Sequence, residues 1–180
     1  HTLVLSRGCT YTLTATNNAD ATGDNALPKI TSHLTINGQA AVLERQAAAD
    51  FRFFQAENTA VLSISDLTLK NGRNAVDNKI DGGAIFNNGA TLNISGCTFS
   101  GNYAGCGGAI YSPSGALTIT NSTFSGNEDF LGGGAIFGGG SVVISNSVFS
   151  GNTAAEAGAI GVWGNLTVTD SSFTGNTAQR

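Results

Sequence analysis

Between Leu92 and Gly101 the chain reads Leu-Asn-Ile-Ser-Gly-Cys-Thr-Phe-Ser-Gly. Apolar residues fall at alternate positions in two short runs, parted by a Ser-Gly break, and this period of two predicts two short strands joined at a corner. The pattern returns as Leu117-Thr-Ile followed by Phe124, Val142-Val-Ile followed by Phe149, and Leu166-Thr-Val followed by Phe173. A third apolar word, Gly-Gly-Ala-Ile or Ala-Gly-Ala-Ile, precedes each of these runs and ends at Ile85, Ile110, Ile136 and Ile160. The phenylalanines are 25, 25 and 24 residues apart. Upstream the same grammar is looser: Leu62–Gly72 places Leu69 where the later units have phenylalanine, and Leu34–Ile36 and Leu3–Leu5 continue the middle word.

A unit of about 25 residues with three strands and no helical periodicity is the mark of a solenoid. Leucine-rich repeats need their own Leu and Asn spacing and a helical segment, and propeller blades are longer. The expected fold is therefore all-β, a single-domain right-handed parallel β-helix of about seven coils with three short strands each. Its handedness follows from the general rule for parallel crossovers. One domain covers 1–180. Residues 1–80 form irregular coils with inserted loops at Ala15–Pro28 and Asn71–Asp81, and 81–180 form the regular repeats.

Stacking at the ~4.8 Å strand spacing would make a rod roughly 30–35 Å long. Its interior would hold columns of like residues: Phe99, Phe124, Phe149 and Phe173; Ile85, Ile110, Ile136 and Ile160; Leu92, Leu117, Val142 and Leu166. Gly96, Asn121, Asn146 and Asp170 fall at corners, where their types tolerate turn geometry. The asparagines that close each Phe-x-x-Asn word (Asn102, Asn127, Asn152 and Asn176) fall at the next bend, where identical amides one coil apart can form a hydrogen-bonded ladder.

Composition narrows the setting. Glycine contributes 25 of 180 residues and charged residues 11%, yet hydrophobic residues reach 41%, enough to exclude a disordered polar tract. No apolar run approaches the ~18 residues of a membrane span. The absence of methionine predicts a processed product or a piece of a longer protein, and both ends read as open coils. Net charge is −4, and from Asp81 to Gln179 there is no Lys or Arg, which argues against nucleic acid as a partner. Cys97 and Cys106 are candidates for a disulfide, with Cys9 left free or paired outside the chain; small buried thiols are the other reading, and Cys97 falls in the inward column with Ser122, Ser147 and Ser171. The cysteines fit no zinc spacing.

Polysaccharide-cleaving β-helices need clustered carboxylates with a cation nearby. Here Asp81 and Glu156 fall in one column three coils apart, and Glu128 with Asp129 reads as a solvated loop. Asp66, Arg73, Asp77 and Lys79 read as surface ion pairs around an inserted loop. No catalytic residue, metal ligand or cofactor is assigned, and the chain is read as non-enzymatic. Phe86, Tyr111 and Phe137 follow the inward isoleucines and are expected to point outward as an exposed stack, candidates for holding glycan rings or for supporting the strands alone. The Thr98, Thr123, Val148 and Ser172 file and the Thr-x-Thr pairs at 118–120 and 167–169 suit a flat array, interrupted at Asn93 and Val143.

The alternating Gly-Gly-Ala-Ile and Phe-x-x-Asn words between Gly82 and Asn176 resemble the repeats of polymorphic outer-membrane proteins, autotransporter surface proteins that act as adhesins. The front end, from Gly8 to Gly38, is similar to the opening coils of large secreted bacterial β-helix proteins. The resemblance implies an extracellular, cell-surface setting. Two roles follow: a structural module that stacks on copies of itself or continues into a parent chain, and an adhesin whose lateral face meets glycan or host. A lyase or hydrolase is the third.

Overall fold

The computed structural model describes residues 1–74 and 81–180. Among them there is no helix, and the chain is built of short, largely parallel strands in a curled sheet. Each strand lies beside its equivalent one repeat away. Leu62 pairs with Leu92, Leu92 with Leu117, Leu117 with Val142 and Val142 with Leu166. Around the corner, Leu69, Phe99, Phe124, Phe149 and Phe173 follow one another in parallel register. Ile85, Ile110, Ile136 and Ile160 do the same. This pairing is consistent with a β-solenoid, in which each rung is the hydrogen-bonding partner of the rungs on either side.

The alternation in sequence becomes an alternation of burial. Leu117 and Ile119 are buried and Thr118 and Thr120 are half-buried on the outer face, as the period of two requires. Phe99, Phe124, Phe149, Ile85, Ile110, Ile136, Leu92, Leu117 and Val142 all lie in the core. The phenylalanine rings stack face to face, with centroids 4.7, 4.8 and 4.9 Å apart from Phe99 through Phe173. Ile160 is half-buried, and Leu166 and Phe173, on the outermost rung, are exposed.

Two corners repeat in each rung with the backbone in the left-handed region. The first holds Asp66, Gly96, Asn121, Asn146 and Asp170, at φ between 47° and 63°. Asn and Asp reach this region at small cost because their short polar side chains bond locally.

The strand pattern departs from the sequence expectation in two respects. A two-residue strand follows each Phe-x-x-Asn word: Tyr103–Ala104, Glu128–Asp129, Thr153–Ala154 and Thr177–Ala178, paired with Arg73–Asn74 in a separate five-stranded sheet. Two residues are too few to show alternation. At the front, Leu3 pairs with Ile36 and not with Leu34, a shift of two that keeps the same residues facing inward. The insert that begins at Ala15 carries the one antiparallel pair of strands among the described residues, Asn18–Asp20 with Gly23–Asn25. Asp77 and Lys79 lie outside the described residues.

Candidate functional site

The interior polar groups form two ladders that run across the rungs. In the first, Asn127 Nδ2 donates to Asn152 Oδ1 (2.9 Å) and to the Phe99 carbonyl (3.1 Å), while Asn127 Oδ1 accepts from the Asn102 backbone N–H (3.1 Å) and Asn102 Nδ2 (2.9 Å). Asn102 and Asn152 repeat this geometry, and Asn176 receives the ladder at the outermost rung. At Asn127 and Asn152 the amide thus binds its neighbours and a strand carbonyl with all its hydrogen-bonding capacity, while at Asn102 the oxygen accepts from the Gly72 N–H (2.8 Å). In the second, the Cys97 backbone N–H donates to Ser122 Oγ, the Ser122 N–H to Ser147 Oγ and the Ser147 N–H to Ser171 Oγ, each at 3.1 Å. The serines are recognisable from sequence as an inward small column; the hydroxyl relay is not.

Cys97 heads this file, with its thiol donating to the Ser95 carbonyl at 3.4 Å, as Ser122 Oγ does to Thr120. The disulfide candidate is corrected: Cys97 and Cys106 are both free and buried. They sit on different sides of one rung, separated by the strands Thr98–Ser100 and Tyr103–Ala104 and the bend between them. Burial pushes the Cys97 thiol up to about 11. Burial, then the charges of Asp129, Asp81 and Glu156, pushes Cys106 up to about 12. Since the thiolate is the reactive form, an aromatic disulfide reagent should label Cys9, the exposed thiol, in the native protein and all three thiols after denaturation. A count of one thiol in denaturant without reductant would mean a disulfide after all.

The aromatic column also needs correction. Phe86, Tyr111 and Phe137 do stack, with centroids 5.7 and 6.1 Å apart. They are not an exposed face: Phe86 and Phe137 are only 4% and 7% accessible, and Tyr111 is half-buried. The Phe137 ring is packed against Gly132 and Gly161 so closely that a Cβ on either would lie 2.6 or 2.8 Å from it. Arg52 lies over Phe86, its guanidinium carbon 5.1 Å from the ring centroid. The column ends on Trp163, set edge-on to Phe137 at 4.5 Å and itself 68% exposed. Gly161 stands where the three preceding rungs have a ring, and Trp163, two residues on, supplies the ring contact edge-on.

Arg52 is fully buried. Its Nη1 donates to the Asp81 carbonyl (2.8 Å), its Nη2 to the Thr22 carbonyl, and Nε has no partner among the described residues. Burial pulls its pKa down to about 10, against the charges of Asp81, Asp20, Asp24 and Glu57. Through Thr22 it ties down the hairpin formed by Asn18–Asp20 and Gly23–Asn25, which also reaches the sheet through Asn25 Nδ2 to Gln55 Oε1 (3.0 Å). Asp20 anchors that insert by accepting from Lys29, Thr22 and Gln55. Burial works to raise the Asp20 pKa, but Lys29, Thr22 and Gln55 outweigh it and the net shift is downward. A depressed carboxyl contributes stability that is complete above its unfolded value, near 4, and is lost as pH falls towards the folded one. Amide exchange in residues 18–25, corrected for its intrinsic rate, should therefore speed up between about pH 4 and pH 2. Equal protection across that range would show that Asp20 does not hold the insert.

Asp129 does not lie in a solvated loop, as its sequence setting suggests, but is buried. It accepts four backbone N–H groups, from Gly107 (2.5 Å), Leu131 (2.6 Å), Gly132 (3.0 Å) and Gly133 (2.8 Å), so it organises the glycine-rich bend. Burial nevertheless pushes its carboxyl up against the pull of those amides. Its neighbour Glu128 points to solvent. Arg73 pairs with Asp50 at 3.1 Å, not with Asp66. Among the described residues no group of three or more His, Cys, Asp or Glu side chains is arranged to hold a metal ion.

The comparison with known proteins agrees with the repeat words. A family model described as the Chlamydia polymorphic membrane protein repeat matches residues 96–113, the segment from the first corner through the Gly-Gly-Ala-Ile word. No curated protein and no solved structure matches the chain. The chain thus carries a polymorphic-membrane-protein-like repeat.

Proposed function

We propose that the chain is one right-handed parallel β-helix of about seven coils over residues 1–180, and that it is a non-enzymatic structural element of an extracellular, cell-surface protein. The observation that carries this reading is the in-register run of Phe99, Phe124, Phe149 and Phe173 beside the Asn102-to-Asn176 ladder. These side chains are spent on holding rung to rung, and the arrangement serves length and stiffness. The polymorphic-membrane-protein-like repeat supports the surface setting. Antibody raised to the chain should label intact source cells, and protease added outside them should remove the epitope. Labelling that appears only after permeabilisation would overturn the surface assignment.

A further inference from the structure

The geometry points to a carbohydrate-binding groove on the side of the stacked rungs, built to hold an oligosaccharide that carries a carboxylate. The inference goes beyond the structural role proposed above, which stands whether or not the groove is occupied. A groove of about 480 Å³ runs along the first corner between Arg7, Gln39, Asp66, Thr68, Gly96 and Thr98. It crosses four rungs, about 14 Å at the strand spacing. An irregularity in the strand His33–Arg45 makes its wall. Later rungs turn this corner on one residue, Asp66 between Ser65 and Leu67 and Gly96 between Ser95 and Cys97. Here three residues, Gly38, Gln39 and Ala40, lie between Asn37 and Ala41. Gln39 and Ala40 both sit in the left-handed region, at φ of 49° and 60°, where non-glycine residues seldom occur in succession. The bulge is firmly seated, since a Cβ on Gly38 would lie 2.4 Å from the Asp66 carbonyl oxygen. Gly96 leaves the floor open: a Cβ there would lie 2.7 Å from Asp66 Oδ1.

The charged groups of the groove are uncommitted. Lys29, Lys70 and Arg73 are ion-paired, and Arg45 and Arg52 are held by backbone carbonyls. Arg7 has neither an ion pair nor a hydrogen-bond partner among the described residues, and the same holds for the Asp66 carboxylate. A guanidinium and a carboxylate that line one groove without pairing call for a ligand that satisfies both. Arg7 suits an acidic group, and Asp66, which can only accept, suits hydroxyl donors. Thr68 and Thr98, adjacent in register, add hydroxyls that can both donate and accept. Sugar rings bearing a carboxylate supply this combination along an extended chain. A peptide fits less well. The backbone around the groove is already bonded from rung to rung, with the Gly8 N–H donating to the Gln39 carbonyl (3.0 Å) and the Gly96 N–H to that of Thr120 (3.1 Å), so a peptide finds no strand edge to join there.

Isothermal titration of the purified chain with tetrasaccharides of glucuronate, galacturonate and mannuronate should show saturable binding of at least one of them. The carboxyl-reduced form of that tetrasaccharide should bind about tenfold more weakly. Arg7→Ala and Asp66→Asn should each weaken binding about tenfold while circular dichroism and the melting temperature stay those of the unaltered chain. Gly96→Asn is the sharpest test. Asparagine holds the same corner at 121 and 146, with φ of 51° and 49°, and the atom that the new Cβ displaces is the movable end of the Asp66 side chain. The variant should therefore fold, narrow the groove and lose binding by about tenfold or more. Failure of all three tetrasaccharides to bind overturns the site and leaves the surface reading standing, since antibody labelling tests that separately. Binding indifferent to Arg7→Ala or to Gly96→Asn overturns it too, as does tetraglutamate bound as tightly as the sugar.

Discussion

Gly108→Ala, the addition of a single methyl group, is expected to lower the melting temperature by about 10–15 °C. The backbone of Gly108 is ordinary, so the penalty is not conformational. A Cβ there would lie 2.2 Å from the Gly134 carbonyl oxygen and 2.5 Å from that of Glu128, and both neighbours are backbone of the adjoining rung. Neither can yield without parting the rungs, and overpacking of this kind in a core costs about 3–5 kcal/mol where no side chain can give way. Gly83 and Gly134 meet the next rung in the same way, at 2.2 and 2.1 Å, which is why the second glycine of the Gly-Gly-Ala-Ile word recurs. Gly126 is the control. It has φ of +58° and nothing within 4 Å of a Cβ, so Gly126→Ala carries only the strain of a left-handed alanine, about 1–2 kcal/mol. If thermal denaturation ranks the two in the opposite order, the rungs do not approach one another at that bend as described.

Repetition also decides which features of the fold are legible in the amino-acid sequence. Columns such as Phe99, Phe124 and Phe149 can be read because a solenoid repeats its environment, so each copy of a word is a separate witness to one position. Asn102, Asn127 and Asn152 can be placed at a bend for the same reason. Features that occur once have no such support. Arg52 looks like any surface arginine until the hairpin ending at Asn25 folds across it, and the hairpin belongs to a single insert. Asp129 sits in the one rung with a lengthened glycine bend, and only the path of that bend brings four amides to its carboxylate. The aromatic column fails differently. Alternation correctly puts Phe86, Tyr111 and Phe137 on the side away from the isoleucines, but a period of two reports the face and not what covers it. Glycines at 132 and 161 let the preceding bend and the last rung close onto the Phe137 ring.

Asn127→Leu should destabilise the protein by about 3–5 kcal/mol although it exchanges a polar core residue for an apolar one of similar size. The substitution removes both functions of the amide. The Phe99 carbonyl and the Asn102 N–H are left without the partners Asn127 gives them, in a part of the fold where Asn102, Asn127 and Asn152 are buried. Each abandoned buried group costs about 1–3 kcal/mol, and the added apolar contact does not offset two of them. Asn127→Asp separates the amide's two roles. The new carboxylate still accepts from Asn102, but it sets oxygen against the Phe99 carbonyl and Asn152 Oδ1, where Asn127 had donated. That repulsion favours the protonated form, so the folded-state pKa of the introduced carboxyl is raised. A group raised in the folded state takes up its proton more readily there than when unfolded, so the deficit relative to wild type is full at neutral pH and shrinks as pH falls through the folded value. Denaturant titrations at pH 7 and pH 4.5 should show that narrowing for Asn127→Asp and none for Asn127→Leu. A leucine variant as stable as wild type would mean that the ladder merely fills space, and rung-to-rung cohesion would then rest on the stacked phenylalanines alone.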